Sequence, residues 1–128
     1  MKAMSDIERI RFLEAFAGAW NRHDADALMS MMTDDCIFKS TAGPEVSGKV
    51  YKGQDEVRKA FAAVWTVIPD AHWGDPRHFV AADRGVSECV FTGARADGMR
   101  IESEGCDIFT FRGDKIQIKN SYRKQRTA

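Results

Sequence analysis

One stretch near the C-terminus, residues 102–122 (ESEGCDIFTFRGDKIQIKNSY), constrains the fold more than any other part of the sequence. Apolar and polar residues alternate on both sides of a Gly-Asp turn at 113–114, a pattern typical of two antiparallel strands joined by a hairpin. Asp107 lies in the apolar row, just ahead of Phe109 and Phe111. Because burying an isolated charge is costly, a carboxylate in line with core phenylalanines must be paired or must face a cavity. We expect Asp107 to face a cavity.

Length, charge and cysteine content exclude several classes of protein. We expect the 128 residues to form one domain, 1–128, long enough to bury a core. Its 19 basic and 19 acidic side chains balance, so we expect neither nucleic acid nor a membrane surface as a partner. There is no apolar run of membrane-spanning length and no signal-peptide pattern at the N-terminus. Three cysteines are too few for a disulfide framework, and the three histidines match no metal motif, so we expect a cytoplasmic protein without metal or cofactor.

Helical patterns come before strand patterns along the chain. The first helix follows a capping box formed by Ser5 and Glu8, and the second begins after Asp24. The third runs between Gly53 and Pro69, and only strand patterns separated by turn residues follow it. This order predicts an α+β fold in which three N-terminal helices pack on a strongly curved antiparallel sheet and enclose a cone-shaped pocket.

The turn at 113–114 predicts the register of the last two strands. With a two-residue loop, the cross-strand pairs on the inner face are Phe111 with Ile116, Phe109 with Ile118, and Asp107 with Asn120. The same register places Ile108 opposite Lys119 on the outer face.

A second turn dipeptide at 97–98 extends the register to the preceding strand. A two-residue loop there places Glu88 opposite Asp107, and the cysteines at 89 and 106 opposite each other on the outer face. Glu88, Asp107 and Asn120 then form one row on the concave side, although a slip of one residue would turn Glu88 outward. Two carboxylates that close cannot both ionise easily, so one would stay protonated and able to donate or shuttle a proton. The alternative is a buried polar network that only stabilises the sheet.

Four segments of the chain resemble the SnoaL-like branch of the NTF2-like superfamily, which includes proteins similar to polyketide cyclases and ketosteroid isomerases. These segments are FAGAWNRHDADALMSMMTDDCIF, YKGQDEVRKAF, IPDAHW and CDIFTFRGDKI. The resemblance covers residues 7–122 and implies an NTF2-like (cystatin-like) cone with a mostly apolar pocket, commonly a dimer packed through the sheets. Its motifs specify the fold far more strongly than the chemistry.

The resemblance extends to only some of the family's functional residues. Asp107 falls where ketosteroid isomerases keep a neutral aspartic acid that holds an oxyanion, and where SnoaL-type cyclases place an acid/base aspartate. The general base of the isomerases falls on Ser40, and their oxyanion-binding tyrosine falls on Phe16. Serine has no useful basicity and phenylalanine cannot donate a hydrogen bond, so we do not expect steroid isomerase chemistry in its known form.

Three functions remain open on the sequence. The first is a cofactor-independent acid/base enzyme acting on a small, apolar, carbonyl-bearing molecule, in which Asp107 is the acid/base group, Glu88 its partner and Asn120 the orienting donor. The second is a small-molecule binding protein without turnover. The third is an assembly module that forms a homodimer through the outer sheet face, where Phe91 and Ile108 are expected. The residues expected to line the pocket are Phe16, Trp20, Ser40, Phe61, Trp65, Val90, Phe109 and Tyr122.

Overall fold

The computed structural model describes residues 4–127, which form helices packed on one face of a sheet. The helices are Asp6–Asn21 (α1), Ala25–Ser30 (α2) and Gln54–Val67 (α3), and the strands are Met32–Lys39 (β1), Val50–Lys52 (β2), His72–Ala81 (β3), Arg84–Ala94 (β4), Arg100–Arg112 (β5) and Lys115–Arg123 (β6). The predicted α+β class is confirmed, with β1 and β2 lying between the second and third helices. No helix of residues 4–127 is long and apolar enough to cross a bilayer.

The predicted helix starts are confirmed by their capping bonds. The Ser5 hydroxyl accepts a hydrogen bond from the Glu8 backbone N–H at 3.2 Å, and the Glu8 carboxylate accepts one from the Ser5 N–H at 3.0 Å. Asp24 accepts a hydrogen bond from the Ala27 N–H at the start of α2. These bonds satisfy amides that have no partner inside the helix, which is why local sequence alone locates the helix starts.

The strands form a six-stranded sheet in the order β2-β1-β6-β5-β4-β3. Consecutive strands from β3 to β6 pair antiparallel, as the meander pattern predicts, whereas β1 pairs parallel with β6. The chain therefore brings its first strand beside its last, and this contact influences the register of β6.

The predicted register of β5 and β6 is correct only next to the turn. Phe111 pairs with Ile116, as predicted, but a bulge then adds one residue to β6, and Phe109 pairs with Lys119 rather than Ile118. Because a bulge places two residues opposite one, every side chain beyond it changes face. Lys119 consequently points inward, and Ile118 points outward.

The predicted register of β4 and β5 is wrong by one residue. The loop between these strands has five residues, 95–99, and is closed by hydrogen bonds between Arg95 and Met99 and between Gly98 and Arg95. Asp107 therefore pairs with Ser87 rather than with Glu88. The Gly in the turn does adopt a positive φ of 84°, but within a wider loop than the dipeptide predicts.

Aromatic side chains from the helices and the sheet fill the space between them. The Trp20 ring lies with its centroid 4.6 Å from that of Phe61 and 4.9 Å from that of Trp73. Phe91, expected on the outer face, is 1% exposed and packs in a second cluster with Ile68 and Ala71, because the one-residue slip turns it inward. One cluster thus packs α1 and α3 on the sheet, and the second packs the C-terminal end of α3 on β4.

Candidate functional site

Asp107 lies on the inner face of β5, where its side chain is 20% exposed and lines a cavity. Its Oδ1 accepts a hydrogen bond from the Ser121 hydroxyl at 2.5 Å and another from the Lys119 ammonium at 3.1 Å. Both conditions that the sequence posed as alternatives therefore apply, since the carboxylate is paired and also borders a cavity. Its partners are Lys119 and Ser121, not Glu88 and Asn120.

Lys119 is a residue of this polar patch that the sequence did not predict. Its side chain is only 7% exposed, and its Nζ lies 2.7 Å from the Ser121 hydroxyl. The same nitrogen lies 5.0 Å from the ring centroid of Trp20 and 4.9 Å from that of Phe38, which are favourable distances for a cation over an aromatic face. The β6 bulge brings Lys119 inward, and no local signal in a run of alternating isoleucines would have revealed it.

The second oxygen of the Asp107 carboxylate is not engaged. Among residues 4–127, both hydrogen bonds to this carboxylate go to Oδ1, and Oδ2 receives none. An ionised carboxylate can accept at both oxygens, so Oδ2 keeps its capacity to take a proton or to hold a ligand hydroxyl. The Lys119 ammonium supplies the counter-charge that makes an ionised Asp107 tolerable in this half-buried position.

A cavity of about 310 Å³ lies between α1, α3 and the inner face of the sheet. Apolar side chains from both helices and the sheet form most of its wall, including Trp20, Val64, Trp73 and Phe91. Asp107, Lys119 and Ser121 form a polar patch in that wall. A cavity with apolar walls and few polar groups is typical of a small-molecule site.

Trp20 contributes an unused donor to this wall. The residue is 5% exposed, and its indole Nε1 has no hydrogen-bond partner among residues 4–127. Buried N–H groups are nearly always paired, and this one is covered by the surrounding side chains.

A smaller cavity of about 30 Å³ continues from Asp107 toward β3, between Phe16 and His78. Nδ1 of His78 lies 2.8 Å from the Ser87 hydroxyl, and Ser87 is the cross-strand neighbour of Asp107. Burial lowers the pKa of His78, so its imidazole is neutral at pH 7. The polar row on the inner face therefore runs His78, Ser87, Asp107, Ser121 across four strands.

Four predicted site residues lie on the outer face of the sheet because of the two register shifts. Glu88 and Val90 alternate with the inward residues of β4, and Asn120 and Tyr122 alternate with those of β6. The Asn120 amide donates a hydrogen bond to the Tyr122 hydroxyl at 3.0 Å, and Tyr122 is 52% exposed. All four border a broad outer trough of about 1170 Å³ instead of forming a row with Asp107. Tyr122 also borders the 310 Å³ cavity, and Glu88 also borders the smaller cavity.

The other predicted lining residues divide between core and cavity. Phe16, Phe61 and Phe109 are buried core residues, and Phe16 and Phe109 border the smaller cavity. Trp65 is half-buried against Trp20, with ring centroids 5.2 Å apart. Ser40 lines the larger cavity, but its hydroxyl is occupied by the 41–49 loop, donating to the Ala42 carbonyl at 2.9 Å.

The cysteines also differ from the predicted arrangement. Cys89 faces the cavity while Cys106 lies on the opposite face, so the two do not face each other as predicted. Burial raises the pKa of the Cys89 thiol to about 11, which keeps it protonated and unreactive at neutral pH. No group of three or more His, Cys, Asp or Glu side chains in residues 4–127 is placed to hold a metal ion.

Solved structures with the same fold include several from bacteria. A candidate polyketide cyclase from Xanthomonas campestris pv. campestris matches with a TM-score of 0.83 and 17% identity, covering 93% of this chain and 92% of that one. A protein with a ketosteroid isomerase-like fold from Catenulispora acidiphila, in complex with trimethylamine, matches with a TM-score of 0.75 and 19% identity, covering 87% and 83%. TerC, co-crystallised with polyporic acid, matches with a TM-score of 0.77 and 19% identity, covering 91% and 92%. At these identities the similarity establishes the fold alone.

The sequence comparison gives the family. No curated protein matches the chain. The SnoaL-like domain, however, matches residues 13–118, which include α2, α3, β1 to β5, most of α1 and the first four residues of β6. The match contains Asp107 and ends beside Lys119. The chain therefore belongs to the SnoaL-like domain family.

Proposed function

We propose that the protein binds a small, largely apolar carbonyl compound in the 310 Å³ cavity and performs acid/base chemistry on it without a cofactor. The observation that carries this proposal is the hydrogen bonding of the Asp107 carboxylate. One carboxylate oxygen is held by Lys119 and Ser121, and the other is unengaged at the cavity wall. A general base must be oriented and must also have a free acceptor, and Asp107 meets both requirements.

In the proposed reaction, Asp107 removes a proton from the carbon next to the ligand carbonyl and later returns it, to the same molecule or at a new position. The negative charge that develops on the ligand oxygen needs donors in a poorly solvated site. An ammonium has three N–H donors, and Asp107 and Ser121 use two of those on Lys119. The third is the candidate donor to the ligand oxygen. Isomerisation and aldol-type cyclisation both start from such a step.

The structural neighbours support a pocket function. One was crystallised with trimethylamine and another with polyporic acid, so this fold accommodates small organic molecules of different charge. Neither compound identifies the ligand of this chain, because the proposal depends on the polar patch around Asp107.

We expect Asp107→Asn to lower proton-transfer activity by roughly 100-fold or more, since the amide cannot act as a base. The measurement is exchange of α-hydrogens for deuterium in a panel of enolisable ketones, followed by NMR in deuterated buffer. This assay detects carbanion chemistry without knowledge of the product. Rates are normalised to the folded fraction measured by circular dichroism.

The matched control for this experiment is Glu88→Gln, which removes a carboxylate from the outer face of the adjacent strand. Its exchange rate should equal that of the unmodified protein. Equal exchange rates for Asp107→Asn and the unmodified protein would remove Asp107 from the chemistry.

A second candidate function is ligand binding without turnover. It is supported by the two positions where ketosteroid isomerases have their base and their oxyanion-binding tyrosine. Here the first is Ser40, whose hydroxyl is engaged by its own loop, and the second is Phe16, which has no hydrogen-bond donor. Native mass spectrometry of freshly purified protein distinguishes the two functions. An unreacted ligand retained by the protein, together with no deuterium exchange in the panel, would favour binding alone.

We further propose that the protein is a homodimer packed through the outer sheet face. Phe79, Val86 and Ile108 are cross-strand neighbours on that face and form an apolar row, in which Phe79 is 55% exposed. Light scattering should give a mass twice the 14.4 kDa of the chain. Ile108→Glu should yield a monomer, whereas Lys52→Glu at the far edge of the sheet should not. A monomeric unmodified protein would contradict the proposal.

A cytoplasmic location is the compartment we propose. Three free cysteines, Cys36, Cys89 and Cys106, are consistent with a reducing environment.

A further inference from the structure

Arg123 occupies an unusual position at the end of the inner face. It lies opposite Gly105 on β5, and its guanidinium carbon is 3.9 Å from the ring centroid of Phe91 on β4. The side chain thus passes over β5 at the position where that strand has no side chain of its own. A methyl group at Gly105 would meet the Arg123 Cβ at 3.8 Å and the Tyr122 carbonyl oxygen at 2.8 Å. The close approach of the Tyr122 carbonyl therefore requires glycine here, whereas 3.8 Å to the Arg123 Cβ is an ordinary contact distance.

The Arg123 guanidinium has no ion-pair partner among residues 4–127, and the Asp107 carboxylate acts on it only at a distance. Among residues 4–127 it makes no hydrogen bond and no ion pair, and its close contact is the Phe91 ring. Burial lowers the pKa of Arg123, which reflects a desolvated cation, although an arginine side chain remains charged in proteins. A partly buried cation in this state has an unused capacity for an anion.

The side chains that line the 310 Å³ cavity carry a net charge of +1. The charged residues that line it are Asp107, Lys119 and Arg123, and the first two are paired with each other. Arg123 is left as one unpaired positive charge. A dianion such as a phosphate ester would be under-compensated here, whereas a monoanion would be balanced.

We propose that Arg123 binds the carboxylate of the ligand, so that the cavity accepts apolar carboxylic acids as their monoanions. This inference rests on the proposed function for the location of the ligand, and it adds the chemical class. A planar guanidinium matches a carboxylate with two parallel hydrogen bonds, and stacking on Phe91 holds its plane. Ser121, beside Asp107, and Arg123 are two residues apart on β6, a rise of about 7 Å. The carboxylate and the reacting carbon are therefore separated by several bonds.

A matched pair of probes tests the proposal, 2-naphthoate and its neutral amide 2-naphthamide, which share one aromatic body. Binding to the whole chain is followed at pH 7.5 through the fluorescence of the cavity residues Trp20 and Trp73 and checked by calorimetry. We expect the unmodified protein to bind 2-naphthoate roughly 10- to 100-fold more tightly than the amide, as for one charge-assisted pair. In Arg123→Met and Arg123→Gln this preference should disappear, with the affinity for the amide unchanged.

The control variant is Lys124→Met, which removes the same charge one residue further along the chain, just after β6 ends. Lys124 is 77% exposed and pairs with Glu104 at 3.4 Å, so the preference for 2-naphthoate should persist. Loss of the preference in this variant would indicate a general field effect and overturn the assignment. Equal affinities for the two probes, or binding of neither at millimolar concentration, would overturn it as well.

This result is independent of the deuterium-exchange test. A preference for 2-naphthoate without any exchange activity leaves the carboxylate site in place and removes the enzymatic proposal. Exchange activity that depends on Asp107, together with equal affinities for the two probes, does the reverse.

Discussion

Lys119→Met is expected to lower the free energy of unfolding by about 3–5 kcal/mol, the cost typical of removing one partner from a buried ion pair. The Lys119 side chain is 7% exposed and its Asp107 partner 20%, so water compensates for little of the loss. The variant would leave the Asp107 carboxylate with Ser121 as its remaining hydrogen-bond donor. It would also remove the cation that contacts the rings of Trp20, Phe38 and Phe61. Methionine keeps most of the volume, so cavity formation contributes little.

Urea unfolding at pH 7 followed by circular dichroism measures this effect. The double variant Lys119→Met with Asp107→Asn should recover part of the loss, because it removes the unpaired charge as well. Lys124→Met, which breaks an exposed ion pair, should leave the midpoint nearly unchanged. A near-neutral effect of Lys119→Met would mean that Lys119 is not inside the fold, and the bulge in β6 would then be wrong.

Ile116→Ala and Ile118→Ala should have very different effects, although the two residues are chemically identical and lie two positions apart. Ile116 is fully buried beside Phe111, so its truncation should cost about 2–5 kcal/mol. Ile118 lies beyond the bulge on the outer face and is half-buried, so its truncation should cost about 1 kcal/mol or less.

Strict alternation without a bulge would place both isoleucines in the core, and the comparison therefore tests the register directly. Both variants are measured by urea unfolding at one protein concentration, because Ile118 lies on the face proposed for the dimer. Equal losses for the two variants would contradict the bulge. A small loss at Ile116 alone would contradict its burial between β1 and β5.

The helices and the facing of β5 follow from local rules and could be predicted. The capping box at Ser5 and the Asp24 cap are bonds between residues three positions apart, so local sequence suffices. The inward row Asp107, Phe109 and Phe111 follows from alternation along one uninterrupted strand. The family resemblance extends this to the fold, and the match over residues 13–118 agrees with it.

The composition of the site could not be predicted, because it depends on pairing between distant segments. The bulge in β6 occurs where the neighbouring strand β1 also changes register, between its contacts with Ile116 and Ile118. There the Ile116 N–H donates to the Met31 carbonyl at 3.0 Å, a contact with a residue far away in the sequence. A single slip exchanges the inner and outer faces, so the β6 bulge decides that Lys119, and not Asn120, meets Asp107.

Local sequence is enough for the helices, the last hairpin turn and the inward facing of Asp107, because each depends on neighbours a few residues away. The side chains that surround that carboxylate depend instead on pairing between distant segments. The β1–β6 contact and the five-residue loop between β4 and β5 set the strand registers, and with them the replacement of Glu88 and Asn120 by Ser87, Lys119 and Ser121. Side chains alternate at every residue, so one extra residue in a distant pairing is enough to change the chemistry of the site.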